Sequence, residues 1–288
     1  AEYVLNQPND FHLTTGPMRH SDISNLRELH KSDHNSDGFM VATHWGTASI
    51  LETNTRRGNV IPMAFWQDRE DLFVDPDGSK PVKESMTSQY SKIPNRIVNA
   101  LWVGDSAMDD LGIDGFTHIP VGVDCNKFSP PDWIVNGTQC KSEFLRVFAM
   151  HRPSTPRRGA KRLMSLYNWA KSKYKDRIRI ETFGEDCSWS DFHHGHLSQD
   201  RLAELMRQAD ILIEPSEFQG FGLPGLEAMA SGMCLISTDN KGIHEYGVHQ
   251  RNCLIEGDQS LEDLLSEVIE DDGLRTRLRL LGRSDALE

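Results

Sequence analysis

The sequence predicts an α/β protein of two domains, each a mostly parallel sheet covered by helices. Three observations carry this reading. Residues 211–232, ILIEPSEFQGFGLPGLEAMASG, pass from a short apolar strand through glycines into a helix that ends at Gly232. From Phe144 onward, short apolar runs alternate with helix-length amphipathic segments, the pattern of a parallel sheet. Between the halves, residues 117–131 hold the proline pair Pro130 and Pro131, which interrupts any regular element. A boundary there divides the 288 residues into domains of 1–125 and 126–288.

Composition narrows the function classes. The formal net charge is −12 and no basic stripe offsets it, which argues against nucleic acid as a partner. Cys125, Cys140, Cys187, Cys234 and Cys253 are scattered and form no Cys-x-x-Cys pair. Neither a disulfide framework nor a zinc site is indicated, and a cytoplasmic setting fits best. No apolar run reaches the roughly 18 residues of a membrane span, and no signal peptide is read at the start. Peripheral membrane contact through a lipid-linked substrate stays open.

In the first domain, residues 2–5 read as a short strand and residues 21–31 as a helix capped by Ser21. Residues 33–38, DHNSDG, match the first half of a calcium loop, but His44 stands where the bidentate glutamate belongs, so a polar turn is expected. Apolar runs at 39–43 and 60–65, with a helix between them at 47–55, give βαβ spacing. The polar residues after the second strand, including Gln67, Asp68 and Glu70, fall where ligands bind in open α/β sheets. Asp75 and Asp77 are read as part of a tight turn and not as metal ligands. A further strand is expected at 99–104, a helix capped by Asp105 and Ser106 that stops at Gly112, and a strand at 119–121.

The second domain opens with a strand at 144–150. It runs into His151-Arg152-Pro153-Ser154-Thr155-Pro156-Arg157-Arg158-Gly159, the most basic stretch of the chain. Cations at a helix N-terminus oppose its dipole, so an anionic ligand is expected here. A helix at 159–174, a strand at 177–183 and a helix capped by Ser198 follow. His193, His194 and His196 form a loop that suits a base pocket better than a metal, because adjacent residues rarely converge on one ion. Residues 211–213 are the next strand. The glycine loop and helix after it aim backbone N–H groups at one point, as a phosphate or a sugar hydroxyl requires, and Glu227 one turn later suits a ribose diol. A strand at 234–237 and helices at 260–271 and 274–281 close the domain.

Gly220-x-Gly222-x-x-Gly225, followed by Asp239, also satisfies the dinucleotide fingerprint, which would make the chain an NAD(P)-dependent oxidoreductase. Residues 214–219 separate that strand from the first glycine, however, and Pro224 stands where the helix must approach a pyrophosphate. Instead, Gln219-GFGLPGL-Glu227-AMASG resembles the signature of the retaining, GT-B-fold glycosyltransferases of family 4. In that signature two glutamates are separated by seven residues, and here glutamine replaces the first. HIPVGVDCNKFSPP, at residues 118–131, resembles the stretch by which the same family leaves its first domain, and the two matches stand in the family's order. Thr43-His44-Trp45 and Gln67-Asp68-x-Glu70 look most like enzymes that extend rhamnose-containing bacterial surface glycans.

The resemblance implies two Rossmann-like domains facing across a cleft, the first reduced or lacking a leading segment. It implies a metal-independent hexosyltransferase without cofactor, moving sugar from a nucleoside diphosphate sugar to a glycan or lipid-linked saccharide with retained configuration. Gln219, Arg152 and Arg158 would be catalytic, with Arg158 replacing a lysine. Glu227, Gly220, Phe221, Gly222, Leu223 and Glu245 would bind the donor. His44, Trp45, Gln67, Asp68 and Glu70 are the acceptor-side candidates. Because of Gln219, a nucleotide-sugar-binding module without turnover is the alternative.

Overall fold

The computed structural model describes residues 3–7, 10–13, 38–54, 60–73, 83–135 and 143–288. The expected helix at 21–31, the turn at 33–38, and Asp75 and Asp77 lie outside these residues. The chain divides into two compact units, the second beginning, among the described residues, at Val121.

The described sheet of the first unit has the order β2-β1-β3-β4-β5-β6. Its strands are β1 (Tyr3–Gln7), β2 (Asp10–Leu13), β3 (Gly38–Ala42), β4 (Val60–Trp66), β5 (Asn95–Val98) and β6 (Phe116–His118). The strands from β3 to β6 pair in parallel, while β1 pairs antiparallel with both β2 and β3. Helices α1 (Trp45–Asn54), α2 (Lys83–Tyr90) and α3 (Leu101–Leu111) connect the parallel strands. Ala42, Ala64, Trp66, Met86, Tyr90, Val98 and Val103 are among the residues of its core.

Two expectations for this unit are corrected. Residues 99–104 are not a strand: β5 ends at Val98 and α3 already begins at Leu101, so Asp105 and Ser106 lie inside the helix. The run Ile97-Val98-Asn99-Ala100-Leu101-Trp102-Val103 is apolar enough for either element, and periodicity alone cannot divide it. The end at Gly112 stands, because that residue takes φ 65° and donates its amide to the last turn. The last strand is Phe116–His118 and not 119–121; Phe116 pairs with Arg96, and Ile119 is left exposed.

In the second unit β7 (Leu145–His151), β8 (Ile178–Gly184), β9 (Phe192–His193), β10 (Ile211–Glu214), β11 (Cys234–Ser237) and β12 (Leu254–Ile255) form an all-parallel sheet. Its order is β12-β11-β10-β7-β8-β9. Numbered within the unit and read from β9, that is 3-2-1-4-5-6, the doubly wound order of Rossmann folds. After the short α4 (Asp132–Val135), helices α5 (Ala160–Tyr174), α6 (Gln199–Met206), α7 (Leu223–Ala230), α8 (Leu261–Glu270) and α9 (Asp272–Ala286) complete it.

The strands are apolar on both faces because both faces are covered. Val147, Ala149, Ile211, Ile213, Cys234 and Ile236 pack with Leu163, Leu166 and Leu264. Phe148, Leu212 and Leu235 point the other way, toward Met206, Ala228 and Met229. Ser198 caps α6 as expected, accepting from the Arg201 amide, and Ser260 opens α8 with a full capping box. The last helix runs further than residues 274–281. Arg279 donates to the Gly232 carbonyl at 2.6 Å and Arg283 to the Ala230 carbonyl at 2.7 Å. Both cations thereby complement the C-terminal end of α7 and hold it in place.

Candidate active site

The strand order of the second unit reverses between β7 and β10, and ligands of open α/β sheets bind outside the carboxyl ends of strands at such a point. The loops leaving these strands carry the basic stretch and the glycine loop. They are joined directly: Glu217 donates its amide to the Arg157 carbonyl at 2.8 Å, and Arg157 Nη1 donates to the Phe218 carbonyl at 3.2 Å while lying over the Phe218 ring. Gly159 is required at the join. It takes φ 71°, and a Cβ there would stand 2.1 Å from the Pro215 carbonyl oxygen.

The three arginines have different surroundings. Arg157 braces residues 217–219. Arg152 is exposed and pairs with Glu185 at 3.7 Å. Burial alone would raise the Glu185 carboxyl, but hydrogen bonds from the Ser154 hydroxyl and amide, with Arg152 beside it, hold it below the usual range. Arg158 is half-buried, its Nε is sealed from solvent without a hydrogen-bond acceptor, and no described carboxylate pairs with it.

After β10, Glu214 places Oε1 to accept from both the amide and the hydroxyl of Ser216, at 3.2 and 2.5 Å. Gln219 donates its Nε2 to the Ser216 hydroxyl oxygen at 3.1 Å and its amide to the Asn240 carbonyl at 2.9 Å. Gly220 and Phe221 then lead to Gly222, the N-cap of α7, with φ 86°. The Tyr246 hydroxyl donates to the Gly222 carbonyl at 2.6 Å. From the other side, Gly242 lies so close that a Cβ would stand 2.7 Å from the carbonyl oxygens of Gln219, Gly220 and Phe221. Gly242 and Tyr246 thus bracket the loop, and the first amide of α7 has no intrahelical acceptor.

Glu227 lies in the second turn of α7, 5% exposed, and no described group donates a hydrogen bond to it. Burial pushes its carboxyl up to about 7. Glu245 is half-buried at the end of the 3₁₀ turn Gly242–Glu245, next to Tyr246. The structure thus gathers Arg158, Gln219, Gly220, Phe221, Gly222 and Leu223 on neighbouring loops at the reversal, with Glu227 and Glu245 on the elements that follow.

The histidines do not join them. Phe192 and His193 form the edge strand β9, two strands from the reversal. His193 Nδ1 bonds the Thr182 hydroxyl at 3.0 Å, and His194 Nε2 bonds Glu181 at 2.8 Å, so both rings are engaged by the neighbouring strand β8. Among the described residues no cluster of His, Cys, Asp and Glu could hold a metal ion.

The first unit has its own polar set at the ends of β3 and β4. Glu70 is buried and accepts from the Trp45 amide at 2.8 Å and the Tyr90 hydroxyl at 3.1 Å. Burial is the main cause that pushes its carboxyl up to about 7, opposed by those two donors. Trp45 is the first residue of α1, two positions earlier than the expected helix start, so Glu70 complements that helix's positive end. Gln67 donates to the Thr43 carbonyl at 3.4 Å, and His44 Nδ1 accepts from the Gly46 amide at 3.0 Å. All five acceptor-side candidates therefore fall on two adjacent strand ends.

Sequence reading missed Glu214, Ser216, Asn240 and Tyr246, and assigned Arg157 no role. One signal was available: a glutamate closing the strand ILIE, where both faces are buried, needs a hydrogen-bonding reason.

A family model described as Glycosyl transferases group 1 matches residues 189–285. MMP alpha-(1->4)-mannosyltransferase from Mycolicibacterium hassiacum is 26% identical over 165 residues, 51% of this chain and 38% of that protein. D-inositol 3-phosphate glycosyltransferase from Xylanimonas cellulosilytica is 31% identical over 104 residues, 34% of this chain and 25% of that protein. The chain thus spans less than half the length of these curated relatives. Among solved structures, sucrose-phosphate synthase from Thermosynechococcus elongatus superposes with a TM-score of 0.77 at 14% identity, covering 100% of this chain and 81% of that one. HepE from Anabaena in complex with UDP-glucose gives 0.67 at 14% identity, covering 92% and 76%. The fold is that of the GT-B glycosyltransferases, and residues 189–285, within the second unit, are similar to the group 1 glycosyl transferases.

Proposed function

We propose that this chain moves a sugar from a nucleoside diphosphate sugar to a glycan or lipid-linked saccharide, retaining the anomeric configuration and using no divalent metal. The observation that carries the reading is Arg158, a half-buried guanidinium without an ionic partner among the described residues, beside the bracketed loop at the sheet's reversal. A buried cation is costly unless paired, so its environment is set for an anionic ligand.

In this reading the donor diphosphate lies against Arg158 and the amides of Phe221, Gly222 and Leu223, with Gly220 giving the backbone room to approach. Arg152 turns from Glu185 toward the same group. As the glycosidic bond breaks, charge gathers on the departing diphosphate, and preorganised cations and N–H groups stabilise it there. Gln219 faces the donor sugar, Glu227 accepts from the ribose hydroxyls, and Glu245 contacts the nucleotide. In the first unit, Glu70 is occupied with Trp45 and Tyr90 and positions the α1 end, which leaves His44, Gln67 and Asp68 to meet the acceptor.

The work would take place in the cytoplasm, at a membrane surface when the acceptor is lipid-linked. No helix among the described residues is long and apolar enough to cross a membrane. A nicotinamide reading is disfavoured by the folded segment between β10 and Gly220, and a binder without turnover by the similarity to transferases. HepE binds UDP-glucose in its solved structure, so that sugar nucleotide is the first donor to try. Transfer or slow donor hydrolysis by the purified chain, screened over UDP-, GDP- and dTDP-sugars with NAD as control, supports the proposal. Binding with no cleavage of any donor defeats it.

A further inference from the structure

Gln219 occupies the position at which the resembling signature has glutamate, and its surroundings show why an amide stands there. Glu214, Ser216 and Gln219 are 5%, 0% and 2% exposed, so their hydrogen bonds are not exchanged with water. An ionised carboxylate only accepts, whereas a serine hydroxyl has one proton and two lone pairs. Glu214 takes that proton, with the Ser216 hydroxyl oxygen 2.5 Å from Oε1. Ser216 can then only accept from the third member, so Gln219 must turn its NH₂ toward it, as the 3.1 Å contact shows. The opposite amide orientation would set two acceptor oxygens against each other. Thr238 fixes the hinge of this relay, donating its amide to the Glu214 carbonyl at 3.0 Å and its hydroxyl to the Ser216 carbonyl.

With Nε2 committed, the orientation of the carbonyl oxygen is settled as well. Gln219 Oε1 lies 3.9 Å from the position of a Cβ on Gly222, which puts it over the N-cap of α7. We propose that Glu214 is a positioning residue: through Ser216 it orients the Gln219 amide so that an acceptor oxygen, and not an N–H donor, faces the donor sugar's hydroxyls. The inference rests on the glycosyl-transfer reading for the identity of that ligand, but the relay itself does not. Glutamine at 219 is then matched to glutamate at 214. A glutamate at both positions would set two carboxylates on one serine proton. Exchanging the two residues reverses the direction of the side-chain relay, with Ser216 donating to residue 219, and gives up only the bond from the Ser216 amide to residue 214.

The test is a double-mutant cycle with Gln219→Glu, Glu214→Gln and the exchange of both, read in donor turnover, affinity for bare UDP and thermal stability of the ligand-free protein. Gln219→Glu should lose about tenfold in kcat, the scale of one hydrogen bond to a charged group, whereas Glu214→Gln, which keeps an acceptor oxygen for Ser216, should lose less than about threefold, with UDP affinity changed less than about twofold in both. The exchange should recover to within about threefold of wild type and have a higher Tm than the two single shifts sum to. Additive losses in both kcat and Tm overturn the relay. Coupling in Tm with a wild-type chain that cleaves no donor retains the relay and defeats the transferase reading. Coupling in Tm with additive losses in kcat overturns the positioning role.

Discussion

The Tyr246 hydroxyl donates to the Gly222 carbonyl at 2.6 Å, and it stands only 2.3 Å from where a Cβ on residue 225 would lie. The phenol thus holds the N-cap of α7 and at the same time excludes a side chain from the helix's first turn. Burial raises its hydroxyl well above the ordinary tyrosine value, so it remains a donor at any working pH. Tyr246→Phe should cost about 1 kcal/mol, the net value of one hydrogen bond. Gly225→Ala should be markedly destabilising in the wild type and less so beside Tyr246→Phe, where the clashing oxygen is gone. Urea denaturation of the four proteins checks this, and equal costs of Gly225→Ala in both backgrounds would refute it.

Glu227 should make the second unit pH-dependent. Its folded carboxyl sits at about 7, above the unfolded value near 4.5. Between these values the folded state binds more protons than the unfolded one, so stability falls as pH rises through that window, by up to about 3 kcal/mol, and levels off above it. Glu227→Gln should flatten this contribution. Glu70 shifts in the same direction in the first unit, so Glu70→Gln is needed to separate the two slopes. Guanidinium unfolding at a series of pH values gives both.

If Glu227 receives the ribose hydroxyls, its ionised form is the better acceptor, and nucleotide affinity should rise from about pH 6 to pH 8. Glu227→Ala should weaken nucleotide binding by about 1.5 to 3 kcal/mol and abolish that rise. Calorimetric titration with UDP decides the matter; an unchanged affinity would move the ribose elsewhere.

Neighbouring arginines should separate cleanly. Arg157→Ala should destabilise the protein by about 1 to 2 kcal/mol, because it removes the bond to the Phe218 carbonyl and the contact with the ring. Arg158→Ala should leave stability unchanged or slightly improved, yet reduce nucleoside diphosphate affinity at least about tenfold. Arg158→Lys should restore part of it. A reversal of the two phenotypes would exchange their roles.

Chelation should leave turnover intact, since arginines and backbone amides supply the positive charge in this reading. Turnover lost with a chelator and restored by magnesium or manganese would bring Asp75 and Asp77 back as ligands.

The sequence by itself determined the second unit's parallel sheet and its glycine loop. Strands buried on both faces must be apolar throughout, and α7 announces itself by Gly222 before it, Pro224 in its first turn and Gly232 after it. Where the local pattern serves two elements, it failed. The run from Ile97 to Val103 suits strand or helix, and only pairing of Val98 with Trp66 and His118 places the division there. The length of α9 was equally illegible, because Arg279 and Arg283 read as surface charges until Gly232 and Ala230 present their carbonyls to them. Likewise the sequence could propose Gln219 and Glu227 from the resemblance of one segment to a family signature. Only the tertiary structure joined Glu214 and Ser216 to Gln219 and Tyr246 to Gly222, and gave Arg157 and Arg158 different surroundings. Hydrogen bonds across loops depend on which strands become neighbours, and the crossover that sets β7 beside β10 joins residues some 60 positions apart.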